Sequence, residues 1–79
     1  MQEGDYMVLA GSFSIRENAD NHVKNLKKLG YANARVEVFD RGSYAVVLVD
    51  RFETESAARK LISELKSKHN IESFLKVKQ

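Results

Sequence analysis

Cysteine is absent from this chain of 79 residues, which excludes disulfides and thiolate metal sites as sources of stability. The 43% of residues that are hydrophobic must supply the core alone, in a chain near the lower size at which one core suffices. Long apolar runs are missing too. The longest, Ala45 to Val49, is far short of a membrane span, and no stretch joins a charged start to an apolar middle as a signal peptide does. Excess charge of one sign is also lacking: 13 Lys and Arg against 11 Asp and Glu leave a net charge of +2, too small to indicate nucleic-acid binding unless the cations cluster. Lys24, Lys27, Lys28, Lys60, Lys66 and Lys68 fall instead in helix-like segments rich in Lys and Glu, which read as solvated helix faces. His22 and His69 have no second ligand at metal spacing, so no metal is expected; they read as a half-exposed helix residue and a favourable cation near a helix C-terminus. Ser12 with His22 lacks a third group to orient a base, so neither catalysis nor a cofactor is expected.

What the chain does have is a repeat. A shift that carries Phe13 onto Phe52 also carries Val8 onto Val47, Ala10 onto Val49, Ala19 onto Ala58, Val23 onto Ile62, Leu26 onto Leu65, Val36 onto Leu75 and Val38 onto Val77. Each half reads as strand, helix, strand. In the first, Tyr6 to Ser12 is a strand, Ser14-Ile15-Arg16-Glu17 reads as a capping box, and Ala19, Val23, Leu26 and Leu29 form one helical stripe. Gly30 is the expected left-handed stop, and Arg35 to Val38 alternates as a half-buried strand does. Asp40 to Ser43 holds turn signals. The second half begins at Tyr44, with Thr54 as cap, a stripe of Ala58, Ile62 and Leu65 with Leu61 beside it, and a last strand from Ser73 to Lys78. Asp50 with Arg51 reads as a strand-to-helix turn, and Gly11 as a bend at the end of a strand.

Two βαβ units in series predict one α+β domain of ferredoxin-like type: four antiparallel strands, the first and third central, with both helices on one face. Residues 5–79 make that domain, from repeats at about 5–40 and 44–79, and residues 1–4 read as a linker remnant. Strand parity then leaves Met7, Leu9, Arg35, Glu37, Phe39, Tyr44, Val46, Leu48, Phe74 and Lys76 on the face away from the helices. A face that met only water should be polar. This one is expected to present an exposed apolar centre of Met7, Leu9, Val46 and Leu48 with aromatics and charges around it, the pattern of a surface that meets a ligand. A covering segment, a neighbouring domain or a second copy of the chain would also satisfy it.

Aromatics on a four-stranded sheet echo the RNA-recognition motif, whose basic-Gly-aromatic signature the stretch from Arg41 to Leu48 resembles weakly. Ser43 interrupts it, Val46 and Leu48 stand where bases would stack, and the face has little positive charge, so no nucleic acid is expected. A fuller resemblance is to the SPOR domains, which bind bacterial peptidoglycan. It rests on Tyr6-Met7-Val8-Leu9-Ala10-Gly11-Ser12-Phe13, then Glu17-Asn18-Ala19, Leu26, Leu29 and Gly30-Tyr31, and on a second pass of Tyr44 to Phe52, Ala58, Leu65 and Phe74 where the family often has Trp. The resemblance covers nearly the whole chain. It implies the same pseudo-symmetric fold and a noncatalytic role in binding glycan strands that lack stem peptides. It also implies residence in the bacterial cell envelope, on the periplasmic or cell-wall side, within a longer secreted or membrane-anchored protein of the kind that serves cell division or wall hydrolysis.

In that role Phe74, Tyr44 and Phe39 would pack sugar rings while Ser12, Arg35, Glu37 and Lys76 supply hydrogen bonds. Three positions depart from the family pattern. Leu9 replaces a common Gln, Asp50 an expected Gly and Val46 a frequent basic residue, and each change removes a polar contact or backbone access that the family uses. The alternative reading is a protein-interaction or self-association module using the same face.

Overall fold

The computed structural model describes residues 4–39 and 44–77, with the backbone alone for Phe39. The elements run β1 (Tyr6–Phe13), α1 (Arg16–Lys28), β2 (Arg35–Phe39), β3 (Tyr44–Phe52), α2 (Glu55–His69) and β4 (Phe74–Val77). The expected turn at Asp40 to Ser43 and the end of the last strand at Lys78 lie outside the described residues. All strand pairs are antiparallel, in the order β2-β3-β1-β4. The expected α+β, ferredoxin-like βαββαβ architecture is therefore present, with β1 and β3 in the centre.

Both helices lie on one face because each has a single apolar stripe to bury. Ala19 and Leu26 of α1 and Ala58 and Leu65 of α2 are fully buried against Val8, Ala10, Ala45, Val47 and Val49, with Val23, Leu61 and Ile62 packed beside them. The stripe of α1 stops earlier than its spacing suggested: Leu29 lies past the last helical residue and is 39% exposed. Val38 and Val77 belong to short edge strands and keep much of their surface in water.

The helix ends are set by local chemistry. Thr54 caps α2, its hydroxyl accepting from the Ala57 amide at 3.2 Å, and Asn70 closes that helix in the left-handed region at φ 56°. Gly30 (φ 106°) ends α1, where Gly30 N–H donates to the Lys27 carbonyl and Tyr31 N–H to the Leu26 carbonyl. This is the paired-bond stop that glycine permits at no steric cost. The start of α1 departs from the expected capping box. The cap position is Ile15, one residue beyond Ser14, and it makes no side-chain bond; the Asn18 amide is satisfied by the Ile15 carbonyl at 3.1 Å instead.

Gly4, expected in a linker, is buried. Its carbonyl accepts from Arg51 Nε at 3.0 Å, its φ is 88°, and a Cβ there would collide with the Phe52 backbone.

Candidate functional site

The face away from the helices is organised by two bulges. In regular alternation Val8, Ala10 and Phe13 cannot all point to the helices, yet all three pack in the core, as Val47, Val49 and Phe52 do. The pairing shows how. Leu9 faces Leu48 and Ser12 faces Val46, so β1 has one residue more than β3 in that interval; Val8 faces Asp50 and Leu9 faces Leu48, so β3 has one more in the next. Each extra residue resets the parity of its strand. Asp50 and Arg51 are accordingly inside β3 rather than in the expected turn.

Reading across the sheet, one row is Arg35, Leu48, Leu9 and Phe74, a second is Glu37, Val46 and Ser12, and a third is Arg51, Met7 and Lys76. Tyr44 pairs with Phe39 beyond the second row, and the Phe39 side chain lies outside the described residues. Met7, Leu9, Val46 and Leu48 do come together, in a cluster separate from the main core. The expectation that they form an exposed patch is overturned: they are 4%, 2%, 9% and 0% exposed. Each has neighbours on both sides, Leu48 between Arg35 and Leu9 and Met7 between Arg51 and Lys76, and long side chains cover apolar surface with their stems while their heads stay wet.

What the face presents to solvent is therefore aromatic and polar. Tyr44 is 55% and Phe74 52% exposed, Ser12 and Lys76 are exposed, and Arg35 donates to Glu37 at 2.9 Å in a half-buried pair. Arg51 was missed in the sequence. Its signal was Phe52: a core residue matched to Phe13 implies a bulge before it, and a bulge puts Arg51 on the open face. Asp50 is fixed at that bulge by accepting from Asn33 Nδ2 at 3.2 Å and from the Arg51 amide at 2.8 Å. Its carboxylate thus does the positioning that a glycine's conformational freedom would otherwise allow.

Ser12 and His22 are kept apart: Ser12 is on the open face, whereas the His22 ring meets Phe13 edge-on at 5.9 Å on the helix side. Tyr31 also belongs to that side. Its hydroxyl donates to Glu64 at 2.7 Å and its ring meets His69 edge-on at 5.8 Å. Burial first, then the hydrogen bond and negative charge of Glu64, pushes the phenol up to about 12. Among the described residues no group of His, Asp or Glu is arranged to hold a metal ion, and no helix is long and apolar enough to cross a membrane.

No curated protein matches the chain. A solved structure with the same fold is the solution structure of the peptidoglycan binding domain of the B. subtilis cell wall lytic enzyme CwlC: 24% identical, with a TM-score of 0.76 over 100% of this chain and 95% of that one. The model of the SPOR domain family matches residues 2–76, and on that match, in agreement with the repeat, the sheet order and the open face, this chain belongs to the SPOR domain family.

Proposed function

We propose that the chain is a noncatalytic module that binds peptidoglycan through the open face of its sheet, holding glycan strands that have lost their stem peptides. The observation that carries this reading is the layout of the face. Two exposed rings, Phe74 and Tyr44, stand at opposite corners of a closed apolar floor, with the polar groups of Ser12, Arg35, Glu37 and Lys76 distributed around it. Tyr44 is four residues along β3 from Leu48, in the row of Phe74, and Phe74 lies two strands across. At strand spacings that is a diagonal of roughly 16 Å.

A ligand that touches both rings is longer than one sugar. Sugar rings offer apolar C–H surfaces to aromatic rings, and their hydroxyl and acetamido groups need hydrogen-bond partners of the kind found at this rim. An open sheet face suits a bare strand, because peptides branching from the strand would hold it away from the sheet. Family membership supports the reading, as does the fold shared with a domain described as peptidoglycan binding. The same membership supports a site of action in the bacterial cell envelope.

The burial of Met7, Leu9, Val46 and Leu48 supports this reading over the alternative of self-association or a protein partner, which called on those four residues as an exposed patch. The test is cosedimentation with isolated sacculi before and after an amidase has removed stem peptides. Pelleting that rises with stripping and falls for Phe74→Ala is expected. Absence of pelleting with either preparation overturns the reading.

A further inference from the structure

The open face repeats itself about a twofold axis between Leu9 and Leu48. These two residues pair with one another, and the shift that carries Phe13 onto Phe52 carries Leu9 onto Leu48. The same relation takes Arg35, beside Leu48, to Phe74, beside Leu9. It also exchanges the outer rows, so that Glu37, Val46 and Ser12 on one side correspond to Lys76, Met7 and Arg51 on the other. The strand register is therefore symmetric, but the side chains are not. Neither exposed ring has an aromatic counterpart: Phe74 answers to Arg35, and Tyr44 to Asp5, the exposed residue before β1. Beside the rings, Ser12 answers to Arg51 and Glu37 to Lys76. Arg35, Arg51 and Lys76 each engage other groups of the protein as well; what distinguishes the two ends is residue type.

Resting on the glycan reading above, we infer that this face holds a glycan strand in one direction only. Every linkage of such a strand joins the anomeric carbon of one sugar to a ring hydroxyl of the next, so its two ends are distinct. A face with full twofold symmetry would bind the strand equally well either way round, because half a turn restores the face and reverses the strand. Here half a turn moves the strand from the diagonal between Phe74 and Tyr44 to the parallel one between Arg35 and Asp5, where no ring lies beneath the sugars. Reversal in place keeps both rings but exchanges the flanks. The Glu37 carboxylate, on the Tyr44 side, accepts hydrogen bonds, whereas the Arg51 and Lys76 side chains, on the Phe74 side, only donate them. A strand turned end for end presents its hydroxyl and acetamido groups to those flanks in the opposite order.

The experiment uses stripped glycan oligomers just long enough to touch both rings, with a nitroxide on the reducing end in one sample and on the non-reducing end in another. Paramagnetic broadening of the backbone amides is read in each. Each label should broaden one end of the face about tenfold more than the other, as a tenfold difference in affinity between the two directions requires. The ends are reported by Tyr44 to Val46 and by Phe74 to Lys76, and the two labels should mark opposite ones. Asp5→Tyr combined with Arg35→Phe supplies the missing rings, and in that variant a single label should broaden both ends. A thermal melt shows whether the double variant folds; the parent chain carries the test by itself if it does not. Equal broadening of both ends of the parent by each label overturns the single direction and leaves glycan binding standing. A folded double variant that still holds the strand one way overturns the assignment of direction to the rings. Absence of chemical-shift changes with the unlabelled oligomers overturns both the direction and the glycan reading.

Discussion

Gly11 in β1 and Asp50 in β3 occupy the same position in the two repeats, and each belongs to a bulge between the same two central strands: Ala10 and Gly11 stand against Val47, Val49 and Asp50 against Val8. The two bulges are built by different chemistry. Gly11 uses a φ of 138°, with the Phe13 ring 3.0 Å from where a Cβ would sit. Asp50 is not among the residues with positive φ and is held by its side-chain bonds to Asn33 and the Arg51 amide.

Substitutions at the pair should therefore behave unequally. Gly11→Ala is expected to lose about 1–3 kcal/mol, because it forces a side chain into a backbone region open almost only to glycine and presses on Phe13. Asp50→Gly should still lose about 1 kcal/mol, because the bonds of its carboxylate to Asn33 and the Arg51 amide go with it. Urea denaturation of the two variants checks this; a Gly11→Ala variant as stable as the parent would mean that the β1 bulge does not need glycine, and an Asp50→Gly variant as stable as the parent that the β3 bulge does not need its side-chain bonds.

The central four residues of the open face are expected to act as core. Leu48→Ala should lose about 2–5 kcal/mol, as truncation of a fully buried leucine does. Leu9→Gln should destabilise by about 1–3 kcal/mol by burying an amide in an apolar cluster. Chemical denaturation measures both, and a fully stable Leu9→Gln would show that water reaches this position.

Phe74→Ala and Tyr44→Ala should separate binding from stability. Both rings are about half exposed, so the variants should melt within a few degrees of the parent while losing pelleting with stripped sacculi. Loss of folding in parallel with loss of binding would contradict a role confined to the ligand.

The helix starts make a matched pair. Thr54→Ala should lose about 1 kcal/mol with its cap, whereas Ser14→Ala should be near neutral because the cap position of α1 is Ile15. Ile15 is extended and 58% exposed and makes no side-chain cap bond, so Ile15→Ser should gain about 0.5–1 kcal/mol by offering a side-chain acceptor to the amides of the first turn. Thermal unfolding of the three variants tests the assignment.

Tyr31 gives the expected pH dependence. Its folded pKa of about 12 lies above the usual value near 10, so its contribution is complete below about pH 10 and is lost as pH rises through the folded pKa near 12. Spectrophotometric titration should show a late phenol step that is absent in Tyr31→Phe. In Glu64→Gln that step should move down, since the charge is removed while an acceptor remains.

The repeat, the two helical stripes, the glycine stop of α1, the Thr54 cap and the ferredoxin-like order with β1 and β3 in the centre are all legible in the linear chain. These follow from the spacing of apolar residues and from short-range chemistry, which a linear pattern records directly. The remainder comes from contacts between segments far apart in the chain. Strand parity placed Met7, Leu9, Val46 and Leu48 on one face, but their burial depends on the neighbours that the register sets beside them, and register is a relation between distant segments. The same holds for Arg51: only the pairing of β3 with β1 reveals the extra residue that turns it onto the open face beside Met7.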